Sequence, residues 1–271
     1  MSVGARTLRD MSRALDFPVY LDHLAADSAR FAEVLRRTPY ERQVPTCPDW
    51  TAADLFFHLA EVQAFWARIV GRRLTTSEQV AELKTVRPDD DRELPGLFAE
   101  CTQSLQEALR LTPPDTVAWT WAPEQTAGFS YRRQAQEALI HRLDAELTAG
   151  ERTPLDARLA ADGVDEMLSV IYGEPPSEGT FTPDTEHVVR FAATDTGDAW
   201  TVTIGTYTDP AGRASPCLDW MPGATSTAEV HGTAADLDCW LWRRPTLGEI
   251  SQTGSPATLT RLVEMITARP G

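Results

Sequence analysis

YRRQAQEALIHRLDAELTAG, residues 131–150, reads as one long helix. Ala135, Leu139, Leu143 and Leu147 recur every fourth residue, the spacing of an apolar helical stripe. Gly150 stands where a helix ends in the left-handed C′ position. At about 100° per residue, Gln134, Glu137, His141, Asp144 and Thr148 lie on nearly the opposite side. Glu137 and His141 are one turn apart there, so a carboxylate and an imidazole project together. Such a pair can chelate a divalent metal ion. A third ligand must then come from another helix, because one helix cannot surround an ion. A polar face is ordinarily a solvated one. The chelating reading needs a cover, and the second part of the chain is the available candidate.

Upstream, three more helices are expected. Tyr20 to Arg37 carries Leu21, Leu24, Ala25, Ala29, Phe31, Ala32 and Leu35 with a period near that of a helix. After a polar loop, Thr38 to Trp50, Thr51 and Asp54 form a weak capping box. The following helix runs to Val70 on a stripe of Leu55, Leu59, Val62, Trp66 and Ile69. A charged linker around Arg87–Asp91 leads to Leu94–Leu111, which Pro113 and Pro114 end. A fifth helical stretch, Pro154 to Ile171, follows residue 150. Helices of this length with medium loops make a bundle.

Pro and Gly cluster in GEPPSEGTFTPD, residues 173–184, the expected boundary between a domain over 1–175 and one over 180–271. Beyond it the period changes. His187–Phe191 and Trp200–Ile204 alternate as strands do, with shorter candidates at Leu218–Met221 and Thr227–Val230. Helices are expected at Ala234–Arg243 and Pro256–Ala268. Strands first and helices after make a small α+β domain.

The 271 residues are enough for two domains at ~150 residues each. A net charge of −15 argues against a nucleic-acid partner and against an anionic membrane surface. The hydrophobic fraction, 42%, is ample for a buried core. Lys84 is the single lysine among 25 basic residues, a bias compatible with a GC-rich genome. Cys47, Cys101, Cys217 and Cys239 form no Cys-x-x-Cys pair. The N-terminus has no apolar signal-peptide core, and no run reaches the ~18 apolar residues of a membrane span. A cytoplasmic protein with reduced thiols is expected, and a monomer.

No P-loop, G-x-G-x-x-G, G-x-S-x-G or H-E-x-x-H motif is present. His58 lies at the flank of its helix's apolar stripe, about 60° from the centre, where a packed, hydrogen-bonded histidine is more usual than a ligand. His23 reads as structural. His187 and His231 lie in the β-rich part with no partner at ligand spacing. No cysteine has the context of a nucleophile. Trp119, Trp121, Trp240 and Trp242 read first as core. Trp119 and Trp121 sit in a loop, which makes them pocket candidates.

VPTCPDWT, residues 44–51, followed by Asp54-Leu55 and His58-Leu59, resembles the signature V-P-x-C-P-x-W-T-x-x-D-L-x-x-H-L of the mycothiol-dependent maleylpyruvate isomerase family. The Glu137–Glu146 stretch resembles that family's second signature, E-x-x-x-H-R-x-D-A-E. AADGVDE, residues 160–166, and Gly232–Leu237 followed by Trp240-Leu241-Trp242-Arg243-Arg244 are similar as well. The resemblance covers nearly the whole chain. It implies an N-terminal four-helix bundle of the DinB type and a C-terminal α+β domain resembling sterol carrier proteins. It implies a divalent metal, generally zinc, on His58, Glu137 and His141. It implies a C-terminal arginine near the substrate, matching Arg244; Arg243 replaces the family's usual glycine, so Arg243 competes for the role.

The chemistry follows from that ligand set. Two imidazoles and a carboxylate leave open coordination positions, and the resemblance implies that mycothiol's sulfur fills one. A metal lowers a thiol's pKa, and the resulting thiolate can add to an electrophilic carbon. With a conjugated cis-alkene diacid the outcome is cis–trans isomerisation. With a leaving group or an epoxide it is a stable S-conjugate, the slightly favoured outcome. Arg244 suits a carboxylate or developing oxyanion. Asp144 either orients His141 or pairs with a surface arginine. The partners implied are mycothiol and an electrophilic small molecule, in an actinobacterial cell. The alternatives are a non-catalytic small-molecule or metal-binding protein, and a metal-dependent hydrolase, on the same fold.

Overall fold

Pro18 pre-sets φ in the first turn of α1 (Phe17–Arg36), where its missing N–H costs no helical bond. In the computed structural model, which describes residues 14–173 and 179–268, α1 leads into a short antiparallel hairpin, β1 (Gln43–Val44) with β2 (Cys47–Thr51). The sequence suggested only a loop there. Thr51 and Asp54 then cap each other reciprocally and start α2 (Ala52–Arg72), as the S/T-x-x-D/E spacing predicts. A short helix, α3 (Ser77–Ala81), was not foreseen; it opens on a capping box between Thr76 and Gln79. α4 (Leu94–Leu111) has the expected bounds.

The helix that carries Glu137 and His141 is α5 (Ala127–Ala149). It starts four residues earlier than expected, behind Thr126, and Gly150 ends it at φ 80°. Its first turn lies close to other backbone: a Cβ on Gly128 would stand 3.2 Å from the Pro114 carbonyl oxygen and the Phe17 ring. α1 packs chiefly on α5 and α2 on α4, which makes a four-helix bundle. Its centre is a cluster of three rings, Phe31, Phe56 and Phe98, with centroids 5.0–5.5 Å apart.

The chain divides into compact units at Thr153/Pro154. The boundary expected at 173–184 therefore differs from the one observed, and residues 174–178 of that stretch lie outside the described residues. The N-terminal segment read for a leader lies mostly outside them too. The reason is packing. α6 (Ala157–Glu166), capped by Asp156, packs against α7 (Ala234–Leu241). The stretch expected to be one helix to Ile171 ends as a π turn, Met167–Ile171.

The C-terminal unit carries a five-stranded sheet among the described residues, in the order β5-β4-β3-β6-β7. β3 (Thr180–Ala193), β4 (Ala199–Thr208) and β5 (Ala214–Trp220) run antiparallel in sequence. β6 (Ala228–Gly232) joins β3 in parallel, and β7 (Ser251–Gly254) pairs with β6. β7 is exposed throughout, so no alternation marks it in the sequence. α8 (Pro256–Ala268) packs against β3, β6 and β7. None of the described helices is long and apolar enough to cross a membrane.

Candidate metal centre

The cap that starts α2 also sets its rotation, and with it His58, two turns further on. Trp50 is the last residue before the cap. Its ring lies against the His58 imidazole at 4.6 Å between centroids and reaches to 6.4 Å from the His141 ring. The hairpin thus walls one side of both imidazoles.

From α5, Glu137 and His141 meet His58. The two imidazoles stand edge to face, 4.9 Å apart at an interplanar angle of 78°. One ligand atom from each of His58, Glu137 and His141 lies within 4.8 Å of the others, and Glu137 Oε2 is 3.2 Å from His141 Nε2. Donors around a tetrahedral ion with bonds of ~2.0–2.1 Å stand about 3.3–3.5 Å apart. Small side-chain rotations bring this set to that spacing.

The other ring nitrogen of His141 is engaged. Nδ1 lies 3.0 Å from Asp144 Oδ2, and Asp144 Oδ1 accepts from Thr46 Oγ1 at 2.6 Å. A carboxylate behind a histidine fixes its tautomer and turns Nε2 toward the triad. Arg133 Nε lies 3.3 Å from Glu137 Oε1.

These neighbours set the charges. Burial, and then the charge of His141, push His58 down to about 4, so it is neutral at pH 7. Burial opposes ionisation of Glu137, but Arg133, His141 and His58 hold its carboxyl down to about 2. Burial also opposes the charge on His141; Asp144 and Glu137 outweigh it and raise the imidazole. Glu137 is therefore anionic and His58 neutral, with no proton to displace from either, while His141 holds its proton more tightly than a free imidazole.

The polar face of α5 is not solvated. Gln134, His141, Asp144 and Thr148 are buried, and α2 and the hairpin supply neighbours to that face within the bundle unit. Ser130 Oγ and both polar atoms of the Gln134 amide are buried there without a hydrogen-bond partner among the described residues. Trp121 lines a cavity of about 300 Å³ that Glu137 also borders. Trp119 does not line it; its ring packs on Phe65 at 6.2 Å, and its backbone N–H donates to the Leu74 carbonyl.

In the C-terminal unit Arg244 is buried, its Nη1 donating to the Trp242 carbonyl and its guanidinium 5.9 Å from the Trp242 ring. Arg243 is exposed and holds φ 56°. That left-handed position is what a glycine accommodates without strain, a physical reason for the family's glycine there.

The sequence reading missed Trp50, Thr46 and Arg133. Arg133 carried a signal, since it precedes Glu137 by four residues as an i,i+4 ion pair does. Thr46 and Trp50 carried none beyond the signature, because only the hairpin brings them to α5.

A helical bundle in which two imidazoles and a carboxylate converge from two helices, followed by an α+β unit, defines a two-part chain whose bundle carries a donor set able to hold a metal ion. Two family descriptions match in order: "Mycothiol maleylpyruvate isomerase N-terminal domain" over residues 21–146 and "MDMPI C-terminal domain" over 158–261. The chain belongs to the mycothiol-dependent maleylpyruvate isomerase family. Among solved structures it resembles the crystal structure of the mycothiol-dependent maleylpyruvate isomerase, with a TM-score of 0.55 and 14% identity over 89% of this chain and 95% of that one. A histidine-to-alanine mutant of that enzyme gives a TM-score of 0.54 at the same identity and coverage. At this identity the likeness speaks for the fold. No curated protein matches the chain.

Proposed function

We propose that this protein is a metal-dependent enzyme that uses mycothiol to attack an electrophilic small molecule, by cis–trans isomerisation of a maleylpyruvate-like diacid or by S-conjugation. The observation that carries the reading is the convergence of His58, Glu137 and His141 in a chain of this family. Two imidazoles and one carboxylate are the donor set of a catalytic rather than a structural zinc site. Bound there, a divalent ion, zinc by this donor set, supplies a Lewis acid that makes a thiol ionise near neutral pH.

The chain's own residues do the rest. Neutral His58 and the His141 Nε2 edge offer lone pairs, Asp144 holds the His141 Nδ1 proton, and Arg133 balances the charge of Glu137. Addition of a thiolate to a conjugated alkene leaves a single bond that rotates, and its electron pair moves onto the acceptor's carbonyl oxygen. Elimination of the thiolate then returns the trans alkene. With a leaving group or an epoxide, the carbon–sulfur bond remains and the displaced oxygen or leaving group takes the electron pair. Arg244 is the cation we assign to that developing oxyanion.

Metal content is the test. Purified protein is expected to hold about one equivalent of zinc and to lose it in His58→Ala. With mycothiol it should isomerise maleylpyruvate or consume free thiol with a panel of electrophiles. A metal-free protein indifferent to the substitution, with no thiol loss and no cis–trans conversion, would overturn the proposal.

A further inference from the structure

The cavity of about 300 Å³ beside Glu137 is lined, among the described residues, wholly from the bundle unit. Its walls separate by character. Phe65, Trp66 and Trp121 supply aromatic faces and Val62 an aliphatic one, with Arg68 the one cation. Four of these wall residues, Val62, Phe65, Trp66 and Arg68, come from α2, the helix of His58. At ~100° per residue, Val62, Phe65 and Arg68 share about a third of its circumference with His58. Arg68 is ten residues beyond His58, about 15 Å along the axis, and helical side chains lean back toward the N-terminus. The cavity is thus bordered both by a carboxylate of the triad and by Arg68, which borders the larger neighbouring cavity as well.

Arg68 is held in place without being used up. Its Nη1 donates to the Lys84 carbonyl at 3.0 Å and to Thr85 Oγ1 at 3.1 Å. Its Nε and Nη2 have no partner among the described residues. That pair of donors is the edge of arginine that takes a carboxylate through two parallel bonds. Glu61, also on the wall, opposes a second negative charge.

We propose that this cavity receives the electrophilic acceptor of the S-conjugation branch and is built for a planar monocarboxylate with an apolar body, its anionic end read by Arg68 and its body by Phe65, Trp66 and Trp121. The proposal takes the acceptor's electrophilic character from the thiol-addition reading, but its test needs neither thiol nor turnover. Cinnamate is the probe, titrated calorimetrically into the full-length protein without thiol. Its uncharged amide and the dianion maleate serve as comparisons. Cinnamate should bind at least ten times more tightly than either. Arg68→Ala should weaken cinnamate by ~10–100-fold, the worth of a bidentate charged pair, and leave the amide unchanged. Arg68→Lys should recover part of the affinity, while Arg72→Ala, which removes the same charge one turn away outside this cavity, should change it less than twofold. The proposal is overturned if wild-type protein binds no cinnamate, if the amide or maleate binds as tightly, or if folded Arg68→Ala or Arg68→Lys keeps full affinity with no discrimination lost. An enzyme inactive with mycothiol that passes this test would sink the thiol reading and leave the carboxylate pocket standing.

Discussion

Asp144→Asn isolates the charge behind His141. The Asp144 side chain is fully buried, its Oδ2 3.0 Å from His141 Nδ1 and its Oδ1 accepting from Thr46 at 2.6 Å. Asparagine is nearly isosteric. Its amide oxygen can take the His141 Nδ1–H, and its NH2 can donate to the Thr46 hydroxyl, which accepts as readily as it donates. Both contacts survive and only the charge goes. A charged hydrogen bond contributes about 1.5–3 kcal/mol and a neutral one about 0.5–1.5, so the difference is about 1–1.5 kcal/mol. That is roughly a tenfold loss of zinc affinity, at the lower end of the range for such supporting carboxylates. The pH dependence adds a second constraint. Asp144 helps to raise His141, so in the wild type a proton competes with the metal at higher pH than it would without that charge. In the variant His141 binds its proton less tightly, and the affinity deficit should shrink as pH falls. The assay is competition for zinc against a chelator of known affinity from pH 8 to pH 5.5, with circular dichroism to verify the fold. An affinity within twofold of wild type at pH 7.5, or a deficit that does not change with pH, would refute this account.

Three further outcomes follow from the structure. Glu146 is buried among Arg30 at 2.9 Å, Arg142 at 3.2 Å and the Thr153 backbone N–H at 2.8 Å; burial opposes its charge, yet Arg30 and Thr153 hold its carboxyl below the ordinary value. The stability it contributes is therefore present above that ordinary value and is lost as pH falls through the lowered one; Glu146→Gln should cost ~2 kcal/mol or more at pH 7 and progressively less toward pH 3 in urea titrations, and a pH-independent cost would contradict it. Arg243→Gly relieves a left-handed strain of ~1–2 kcal/mol against a glycine entropy cost of ~0.5–1, so the urea midpoint should rise by the equivalent of about 0.5 kcal/mol; a fall would show that the Arg243 side chain matters. Phe56→Ala removes the ring shared by Phe31 and Phe98 and should destabilise the bundle by ~3–5 kcal/mol in thermal or urea melts, a loss below 1 kcal/mol arguing against that core.

The legibility of this chain varied with how local the signal was. The bundle helices were visible because each buries a stripe with a helical period, and the Thr51–Asp54 box and Gly150 are caps whose chemistry acts within four residues. The start of α5 was misjudged because its first turn is held by Pro114 and Phe17, which lie far off in sequence. α6 went to the wrong unit for the same reason, since its apolar face meets α7 about 75 residues later. β7 could not be seen, because an exposed edge strand has no buried face to impose alternation.

The site divides along the same line. By itself the sequence determined that Glu137 and His141 project together from one helix, because the α-helical period places i and i+4 on one face whatever surrounds them. It also determined, through the signatures, which histidine to set beside them. Whether that face meets solvent or an interior is decided by which helices pack on it, and packing is a property of the whole chain. Only the tertiary structure brought His58 within 4.8 Å, set Trp50 against it, put Asp144 behind His141 and placed Arg133 on Glu137. A polar stripe that looked ready for water became the buried interior of the bundle, where burial makes every charge depend on its neighbour.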